Sequence, residues 1–257
     1  MPPADRPPRM TPPATHDPLA PDALGQWLAA HPVVVFDLDG TLVDTLPDLT
    51  GALDDALAAL DLPPVHPDVV MASLHGGLAG TAAAVAEALA LDEERAQALC
   101  VAYETAYSMA PALRALPFPG VLDCLHALRA AGCALGVCTN KSQSDAEGVL
   151  RALRLDFAFD IVVGAGRGLA LKPDPAPLLH AIAMLGAHPR ESVLVGDSVV
   201  DAQCAHAAGA GFAHFSGGYG GAEALAAHAL ARFGDYGHLG LRAAPMIGTA
   251  WAAASGR

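Results

Sequence analysis

Two aspartates, Asp37 and Asp39, follow the apolar run Val33–Phe36 and stand two residues apart. Alternate residues of an extended chain point the same way, so both carboxylates face one site if strand geometry continues through them. Like charges held close together favour a bound cation or a shared proton. Gly40 then lets backbone N–H groups approach a ligand closely. An Asp-Gly turn with solvated acids is the structural alternative. It gives no reason to end a buried strand in paired acids, and we therefore predict a functional site.

A second acidic pair follows another apolar run, Val193–Val195. Asp197 and Asp201 stand four residues apart, which places them on one face if a helix begins there. Helix capping by Asp197 or Ser198 explains one of these acids, but not four acids at the ends of two strands. Together the four acids form a hard, oxygen-rich set of ligands that suits Mg²⁺. The sequence therefore predicts a magnesium site.

Lysine is rare in this chain, which has only Lys141 and Lys172. A single lysine is usually a solvated surface residue, but a chain this poor in lysine hardly uses it to cover its surface. Both lysines follow predicted strands, and both are candidates for neutralising an anionic ligand. Thr139 and Asn140, just before Lys141, fit equally well as a cap on the helix that follows.

Five short apolar runs alternate with helical patterns, which is typical of a parallel sheet covered on both faces. The predicted strands are Val33–Phe36, Ala134–Cys138, Ile161–Val163, Ser192–Val195 and Gly211–Phe215. The predicted helices between them are roughly Val121–Ala131, Gln143–Leu153, Pro175–Leu185 and Val200–Ala208. We therefore predict an α/β fold with a Rossmann-like parallel sheet core and helices on both faces.

One interval, from residue 44 to about 116, contains helical patterns and no good strand. The predicted helices are Pro47–Leu60, Pro67–Leu74, Leu78–Leu89 and Glu93–Ala110. An all-helical insertion directly after the first strand overhangs that strand's carboxyl end, where open parallel sheets bind ligands. The insertion is therefore placed to act as a lid.

This pattern predicts four parts of the chain. Residues 26–44 and 117–240 form the catalytic core, and residues 45–116 form an inserted helical cap. Residues 1–25 are expected to be a disordered tail, because eight of the 21 prolines fall in the first 21 residues. Residues 241–257 are a C-terminal tail without an assignment.

The composition indicates an acidic chain that can bury a full core. Hydrophobic residues make up 53% of the 257, charged residues make up 16%, and the net charge is −13. An acidic surface repels nucleic acid and anionic membranes, so neither is expected as a partner. No stretch is apolar and unbroken enough to predict a membrane span. Five cysteines without a CxxC pair indicate reduced thiols and a cytoplasmic protein.

Taken together, these segments resemble the haloacid dehalogenase superfamily of hydrolases, in its phosphatase branch with a helical cap. The four matching motifs are Asp37-Leu38-Asp39-Gly40-Thr41, Thr139-Asn140, Lys172-Pro173 and Gly196-Asp197-Ser198-Val199-Val200-Asp201. The resemblance covers roughly residues 32 to 230. It implies a Mg²⁺-dependent phosphomonoesterase that acts on a small phosphorylated metabolite through an aspartyl-phosphate intermediate.

The resemblance also implies roles for the four acids. Asp37 attacks phosphorus and carries the phosphoryl group, while Asp39 protonates the leaving alcohol and later activates water. Mg²⁺ is held by the Asp37 side chain, the Asp39 carbonyl and Asp197. Asp201 is either a further ligand or a neighbour that orients the ligands. Dehalogenases lack an acid at the position of Asp39, which favours the phosphatase branch.

The remaining motif residues are implied to balance the charge of the phosphoryl oxygens. These are the side chains of Thr139 and Lys172 and the backbone N–H groups near Leu38 and Asn140. An enzyme with this site neutralises two anions, the nucleophile and the substrate, with a metal ion and a lysine. That requirement reconciles an anionic substrate with an acidic chain.

The substrate is the least constrained prediction. Stretches such as Gly40–Leu49 and Pro119–Leu122 are most similar to bacterial phosphoglycolate phosphatases, which makes 2-phosphoglycolate the best guess. In the cap, His75 either contacts the substrate or ends a helix. Arg95 and Arg114 are the arginines there that can meet an acidic leaving group. A phosphosugar mutase or phosphotransferase with the same four motifs is the alternative. The chain is expected to be a monomer or a homodimer.

Overall fold

The computed structural model describes residues 21–109, 112–166, 168–220, 229 and 231–239. A six-stranded sheet forms the centre of the core, and all five of its strand pairings are parallel. Across the sheet the order is β5 (Ile161–Ala165), β4 (Ala134–Ser142), β1 (Val33–Phe36), β6 (Ser192–Gly196), β7 (Gly211–Phe215) and β8 (Ala231–Phe233). The chain therefore runs from β1 to one side and later returns to the other, and ligands bind where strand order reverses in this way.

Helices cover both faces of this sheet. Helices α1 (Pro21–Ala29), α6 (Val121–Ala130) and α7 (Gln143–Ala152) lie on one face, and α8 (Ala176–Met184) and α9 (Val199–Ala208) lie on the other. In β1, Val34 and Phe36 belong to the first apolar cluster and Val33 and Val35 to the second. All four are buried, because a central parallel strand faces helices on both sides. The predicted fold class is confirmed.

Helix α1 begins at residue 21, inside the last five residues of the segment 1–25 that was predicted to be a disordered tail. Leu24 and Leu28 stand four residues apart and are both buried in the core. One turn of helix therefore places two large apolar side chains on the same face, and their burial favours order over a free tail. Residues 1–20 and 240–257 lie outside the described residues.

The insertion folds into four helices with an apolar core of its own. They are α2 (Leu46–Ala59), α3 (Pro67–Ser73), α4 (Gly77–Ala88) and α5 (Glu93–Met109), with a single 3₁₀ turn, Leu74–Gly76, between α3 and α4. The cap core includes Leu53, Val85, Leu99, Tyr103 and Tyr107. The helical prediction is confirmed, and the observed ends differ from the predicted ones by at most one residue.

A two-stranded antiparallel ribbon joins the cap to the core. It pairs β2 (Val43–Asp44) with β3 (Leu116–Pro117), and neither strand was predicted because each is only two residues long. At the start of α2, the Asp48 carboxylate accepts backbone hydrogen bonds from Arg114 at 2.8 Å and Ala115 at 2.9 Å. The two connections therefore leave and re-enter the core side by side, above the carboxyl end of β1.

Within the part of the chain that the structure describes, every helix is too short or too polar to cross a membrane.

Candidate active site

Three carboxylates and one ammonium meet at the carboxyl edge of the central strands. Asp37 follows β1, Asp197 follows β6 and Asp201 lies in the first turn of α9, and one oxygen of each lies within 4.8 Å of the others. Lys172 Nζ lies 2.8 Å from Asp37 Oδ1 and 2.6 Å from Asp201 Oδ1. All four side chains are buried. One lysine against three carboxylates leaves an excess of negative charge that favours a bound cation.

Burial has clear effects on the proton affinities of this cluster. Desolvation raises the pKa of Asp37 to about 7, even though Lys172 opposes the rise. Desolvation and the charge of Asp201 raise the pKa of Asp197 to about 6. For Lys172, burial opposes the charged form, but the attraction of Asp201 and Asp37 is stronger and holds the pKa well above its usual value. The site is therefore short of positive charge at neutral pH.

Two loops that converge on Asp197 fix its carboxylate. The Thr41 hydroxyl donates to Oδ1 at 3.0 Å, and the backbone N–H groups of Tyr219 and Gly220 donate to Oδ2 at 2.8 and 3.2 Å. The loops can approach this closely because two positions lack a Cβ atom. A Cβ at Gly40, whose φ is +78°, would lie 2.6 Å from Asp197 Oδ2, and one at Gly218 would lie 2.0 Å from the Gly40 carbonyl oxygen.

Asp201 caps a helix as well as belonging to the cluster. Ser198 is the N-cap of α9, and a capping box joins the two residues through both backbone N–H groups. Lys172 Nζ donates a hydrogen bond to the other Asp201 oxygen, Oδ1. Of the two residues considered as caps in the sequence, Ser198 therefore has that role and Asp197 does not. Asp201 therefore helps to start α9 and also pairs with the buried Lys172.

Asp39 lies beside this cluster with partners of its own. Its Oδ1 accepts a hydrogen bond from the Thr45 hydroxyl at 2.7 Å, and both of its oxygens face Lys141 Nζ, at 3.0 and 3.1 Å. The Asp39 side chain is 24% exposed, whereas the Lys141 side chain is only 4% exposed. A carboxylate held by two donors next to a cavity is well placed to exchange a proton with a ligand.

Thr139 and Asn140 lie on a strand and do not cap the next helix. Strand β4 continues to Ser142 with an irregular register after Cys138, and it is Ser142 whose side chain accepts the capping hydrogen bond of α7. The Asn140 side chain donates to the Lys172 carbonyl at 2.9 Å and accepts from the Lys172 backbone N–H at 2.8 Å. This reciprocal pair fixes the segment that carries Lys172.

Five of the residues predicted from the motifs line one small cavity, whereas Asp197 and Asp201 do not line it. Its volume is about 40 Å³, and its walls include Asp37, Asp39, Thr139, Asn140 and Lys172. Leu38, by contrast, buries its side chain in the core, and its carbonyl accepts the hydrogen bonds of the turn that follows. Only its backbone can serve a ligand here.

The cap contributes to the site through the segment around its 3₁₀ turn. Leu74 and Gly77 line the small cavity, and a Cβ at Gly77 would lie 3.3 Å from the Asn140 carbonyl oxygen. The side chain of His75 lies outside the described residues. Arg95 and Arg114 are exposed and line neither this cavity nor the larger one beneath the cap. Among the described cap residues, neither predicted arginine reaches the site.

Two residues at the site were not predicted, and a third was not assigned to a motif. Lys141 was predicted only as a candidate for neutralising an anionic ligand, Thr45 was not considered, and Tyr219 falls in a Gly-rich segment with little pattern. The Tyr219 hydroxyl donates to Asp44 Oδ1 at 2.7 Å and accepts from the Leu46 backbone N–H at 2.8 Å. Tyr219 therefore connects Asp197 to the junction of core and cap. Its position within Gly-Gly-Tyr-Gly-Gly, a segment able to approach other backbones closely, was the one available signal.

A second, larger cavity adjoins the first and extends beneath the cap. Its volume is about 390 Å³, and it shares Asp39, Asn140 and Lys141 with the small cavity. Ser108 of the cap and Ser142 of the core lie on its walls. A molecule with an anionic end at the cluster therefore has room for a further portion under the cap.

The family model described as haloacid dehalogenase-like hydrolase matches residues 34–215. This chain belongs to the haloacid dehalogenase-like hydrolase family. The match begins in β1 and ends with β7, so this family's sequence pattern includes the strands that carry the site and the inserted cap.

Curated members of this hydrolase family show the same relationship in more detail. A phosphoglycolate phosphatase from Caulobacter vibrioides is 42% identical over 181 residues, which cover 68% of this chain and 75% of that protein. One from Rhodospirillum rubrum is 38% identical over 213 residues, or 80% of this chain and 88% of that protein. The crystal structure of a predicted phosphoglycolate phosphatase from Haemophilus somnus 129pt superposes with a TM-score of 0.76. It is 28% identical and covers 80% of this chain and 95% of that one.

Proposed function

We propose that this protein is a Mg²⁺-dependent phosphomonoesterase that hydrolyses a small phosphorylated metabolite, with 2-phosphoglycolate as the best candidate. The observation that carries the proposal is the placement of Asp37 and Asp39 on one cavity, the first paired with Lys172 and the second with Lys141. Such a cavity offers a nucleophile and a proton donor to the same phosphate ester. The relatives of this protein that are named phosphoglycolate phosphatases support the choice of substrate.

The proposed reaction has two displacements at phosphorus. In the first, an Asp37 carboxylate oxygen bonds to phosphorus, the bond from phosphorus to the alcohol oxygen breaks, and Asp39 gives its proton to that oxygen. In the second, Asp39 takes a proton from water, the water oxygen bonds to phosphorus, and the phosphoryl bond to Asp37 breaks. Phosphate and the alcohol are the products, and both aspartates return to their starting states.

Residues that line the small cavity are proposed to balance the charge of the phosphoryl group. Lys172 offers a buried ammonium beside the nucleophile, and Thr139 lines the same cavity. Asn140 holds the Lys172 backbone through two hydrogen bonds. Preorganised donors of this kind stabilise the charge that develops in the transition state.

The carboxylate cluster fits a hard divalent cation. Asp37, Asp197 and Asp201 bring carboxylate oxygens within 4.8 Å of one another, and their combined charge exceeds that of Lys172. Asp37 and Asp197 would hold the ion, with the Asp39 carbonyl as the proposed third protein ligand and Asp201 as the orienting residue. When bound, Mg²⁺ supplies Lewis-acid stabilisation of the phosphoryl oxygens.

Mg²⁺ is expected to stabilise the fold more at pH 8 than at pH 5. In the folded protein without metal, the pKa values of Asp37 and Asp197 are raised to about 7 and about 6 from the ordinary aspartate value of 3.8. A raised folded pKa gives stability at low pH that is lost as pH rises through that value. Mg²⁺ competes with these protons and binds the ionised forms. At saturation and pH 8 we expect about 5–10 °C of added melting temperature.

Thermal melts in Mg²⁺ and in EDTA, at both pH values, test this expectation. The difference between the two curves at each pH removes the contribution of groups remote from the metal site. Asp197→Asn should abolish most of the Mg²⁺ effect, while the same change at the exposed Asp54 of α2 should leave it intact. An equal Mg²⁺ effect at pH 5 and pH 8 would show that these carboxyls do not bind the ion.

The proposed activity is tested by phosphate release from a panel of small phosphomonoesters, 2-phosphoglycolate included, in Mg²⁺ and in EDTA. We expect metal-dependent release that is fastest with 2-phosphoglycolate. Phosphorylated sugars belong in the panel, because transfer of the phosphoryl group back to sugar would identify the mutase or phosphotransferase alternative. No release and no transfer by the folded protein in Mg²⁺ would contradict the proposal.

The cytoplasmic location and the monomer or homodimer state remain predictions. All five cysteines, which fall within the described residues, are free thiols. That condition suits a reducing compartment, and it is one reason to assay the protein in the presence of a reductant.

A further inference from the structure

Lys141 is a buried lysine that the proposed reaction does not use. Its Nζ lies 3.0 and 3.1 Å from the two Asp39 oxygens and 4.4 Å from the centroid of the Tyr107 ring. Lys141 belongs to the core strand β4 and Tyr107 to the cap helix α5. The ammonium is therefore held between the carboxylate of the core and the aromatic face of the cap, where cation–π attraction adds to the ion pair.

The charge on Lys141 persists despite its burial. Desolvation opposes the charged form, but the attraction of Asp39 is stronger and raises the pKa of Lys141 above its usual value. Stability alone is a weak reason to bury such a pair, because well-packed apolar residues are often at least as stabilising. A buried charge at the edge of a cavity suggests a ligand instead.

Lys141 lies on the wall that the two cavities share. It faces the small cavity together with Asp37 and Lys172, and it also lines the larger cavity beneath the cap. Among the described residues of the larger cavity, Lys141 is the only cation. Because Arg95 and Arg114 line neither cavity, Lys141 is, among the described residues of the larger cavity, the cation available to an anionic group on the leaving alcohol.

The distances fit an anion very close to the ester oxygen. Asp39 must approach that oxygen within hydrogen-bond distance in order to protonate it, and Lys141 Nζ is 3.0 Å from Asp39. A carboxylate on the carbon that bears the ester oxygen therefore comes within reach of Lys141. A neutral alcohol of the same size offers this ammonium no charged partner.

Two acidic residues disfavour anions placed farther from the ester. Glu104 of the cap and Asp145 of the core line the larger cavity. Glu104 is exposed and Asp145 half-buried, whereas Lys141 is buried, so the acids lie nearer to solvent. A long leaving group with a second anionic end would meet like charges there. The larger cavity thus favours a negative charge only close to Lys141.

We propose that Lys141 binds the carboxylate of the leaving group and selects phosphomonoesters of short 2-hydroxycarboxylates. It would favour them over esters of neutral alcohols and over longer polyanionic esters. The inference rests on the proposed phosphomonoesterase function and adds the residue that recognises the substrate. It replaces the two cap arginines with a lysine of the core as the partner of an acidic leaving group.

The test compares two substrates in the wild type and in Lys141→Met. One is 2-phosphoglycolate, and the other is 2-hydroxyethyl phosphate, in which a hydroxymethyl group replaces the carboxylate. A lost charge-assisted contact should lower kcat/KM for 2-phosphoglycolate by about 10- to 100-fold more than for the neutral ester. Lys141→Arg should retain part of the preference because it keeps the charge. Arg95→Met, which removes an exposed cap cation, should leave the ratio unchanged.

An equal loss on both substrates would overturn the inference and make Lys141 a positioning residue for Asp39. An unchanged ratio would overturn it as well. Binding of both compounds to Asp37→Asn, with and without Lys141→Met, gives the same comparison without turnover. If the wild type neither releases nor transfers phosphate with any compound of the panel, the proposed function fails, yet a carboxylate preference in binding that depends on Lys141 would still support the inference. Should Lys141→Met not fold, the comparison with Lys141→Arg decides.

Discussion

We expect Asp37→Asn to reduce phosphate release by about 10⁴-fold or more while the protein stays folded. The variant lacks the oxygen nucleophile, and residues that act together in a covalent step lose nearly all rate when one is removed. The fold should survive because asparagine keeps the shape of the side chain. The change also removes the repulsion between the buried Asp37 carboxylate and the carboxylates of Asp197 and Asp201. Initial rates in saturating Mg²⁺ and thermal melts measure the two effects.

The nucleophile and metal-ligand roles of Asp37 need separate readouts. Rapid acid quenching followed by peptide mass spectrometry should detect a phosphoryl adduct on Asp37 in the wild type and none in Asp37→Asn. Asp54→Asn makes the same chemical change at an exposed position of α2, and it should leave both the rate and the adduct unchanged. An adduct on another residue, or a rate within tenfold of wild type, would remove Asp37 from the nucleophilic role.

The alternation of apolar runs and helical patterns predicts most of the fold because burial on both faces imposes it. Strand β1 is apolar at all four positions since each face of the sheet meets helices. That regularity also explains why the acids at the strand ends stand out, because Asp37 and Asp197 interrupt otherwise apolar segments. Chemistry at the edge of a parallel sheet is therefore visible in the sequence as polar residues placed where strands stop.

Features that depend on contacts between distant segments were not predictable in the same way. The pairing of Asp39 with Lys141 joins residues that are 102 positions apart, and periodicity carries no information about such a contact. The extension of β4 past Cys138 depends on an irregular register with β5, so Thr139 and Asn140 resembled a helix cap. Tyr219 reaches Asp44 across 175 positions, from a segment whose glycines give no periodic signal.

The inserted cap illustrates both situations. Its four helices follow from local patterns, and their shared apolar core forms within one continuous segment. What the cap does to the site depends instead on where it meets the core. Gly77 approaches the Asn140 carbonyl, and Tyr107 packs against the Lys141 ammonium. Both contacts arise from tertiary packing, which is why the sequence suggested cap arginines whereas the structure brings a core lysine to the cavity.

Lys172→Met is expected to lose both activity and stability. Removing the ammonium leaves the Asp37 and Asp201 carboxylates buried without their cation, and breaking a buried ion pair from one side costs about 3–5 kcal/mol. Loss of one preorganised charge at the phosphoryl group should lower kcat by about 10²- to 10³-fold. In EDTA at pH 8 the melting temperature should fall by about 6 °C or more. Kinetics in Mg²⁺ and melts in EDTA test the two effects.

A double-mutant cycle with Asp37→Asn separates the catalytic and structural roles of Lys172. With the charge of residue 37 removed, Lys172→Met should cost less stability than in the wild type, and a coupling of about 0.5–3 kcal/mol is typical of residues in direct contact. Part of the stability loss should remain, because Lys172→Met also breaks the ion pair with Asp201. Mg²⁺ should restore part of the lost melting temperature, since the cation offsets the same carboxylates. A near-normal kcat together with a large loss of stability would make Lys172 a purely structural counter-charge. A large loss of kcat that Mg²⁺ does not restore would place Lys172 at the phosphoryl group.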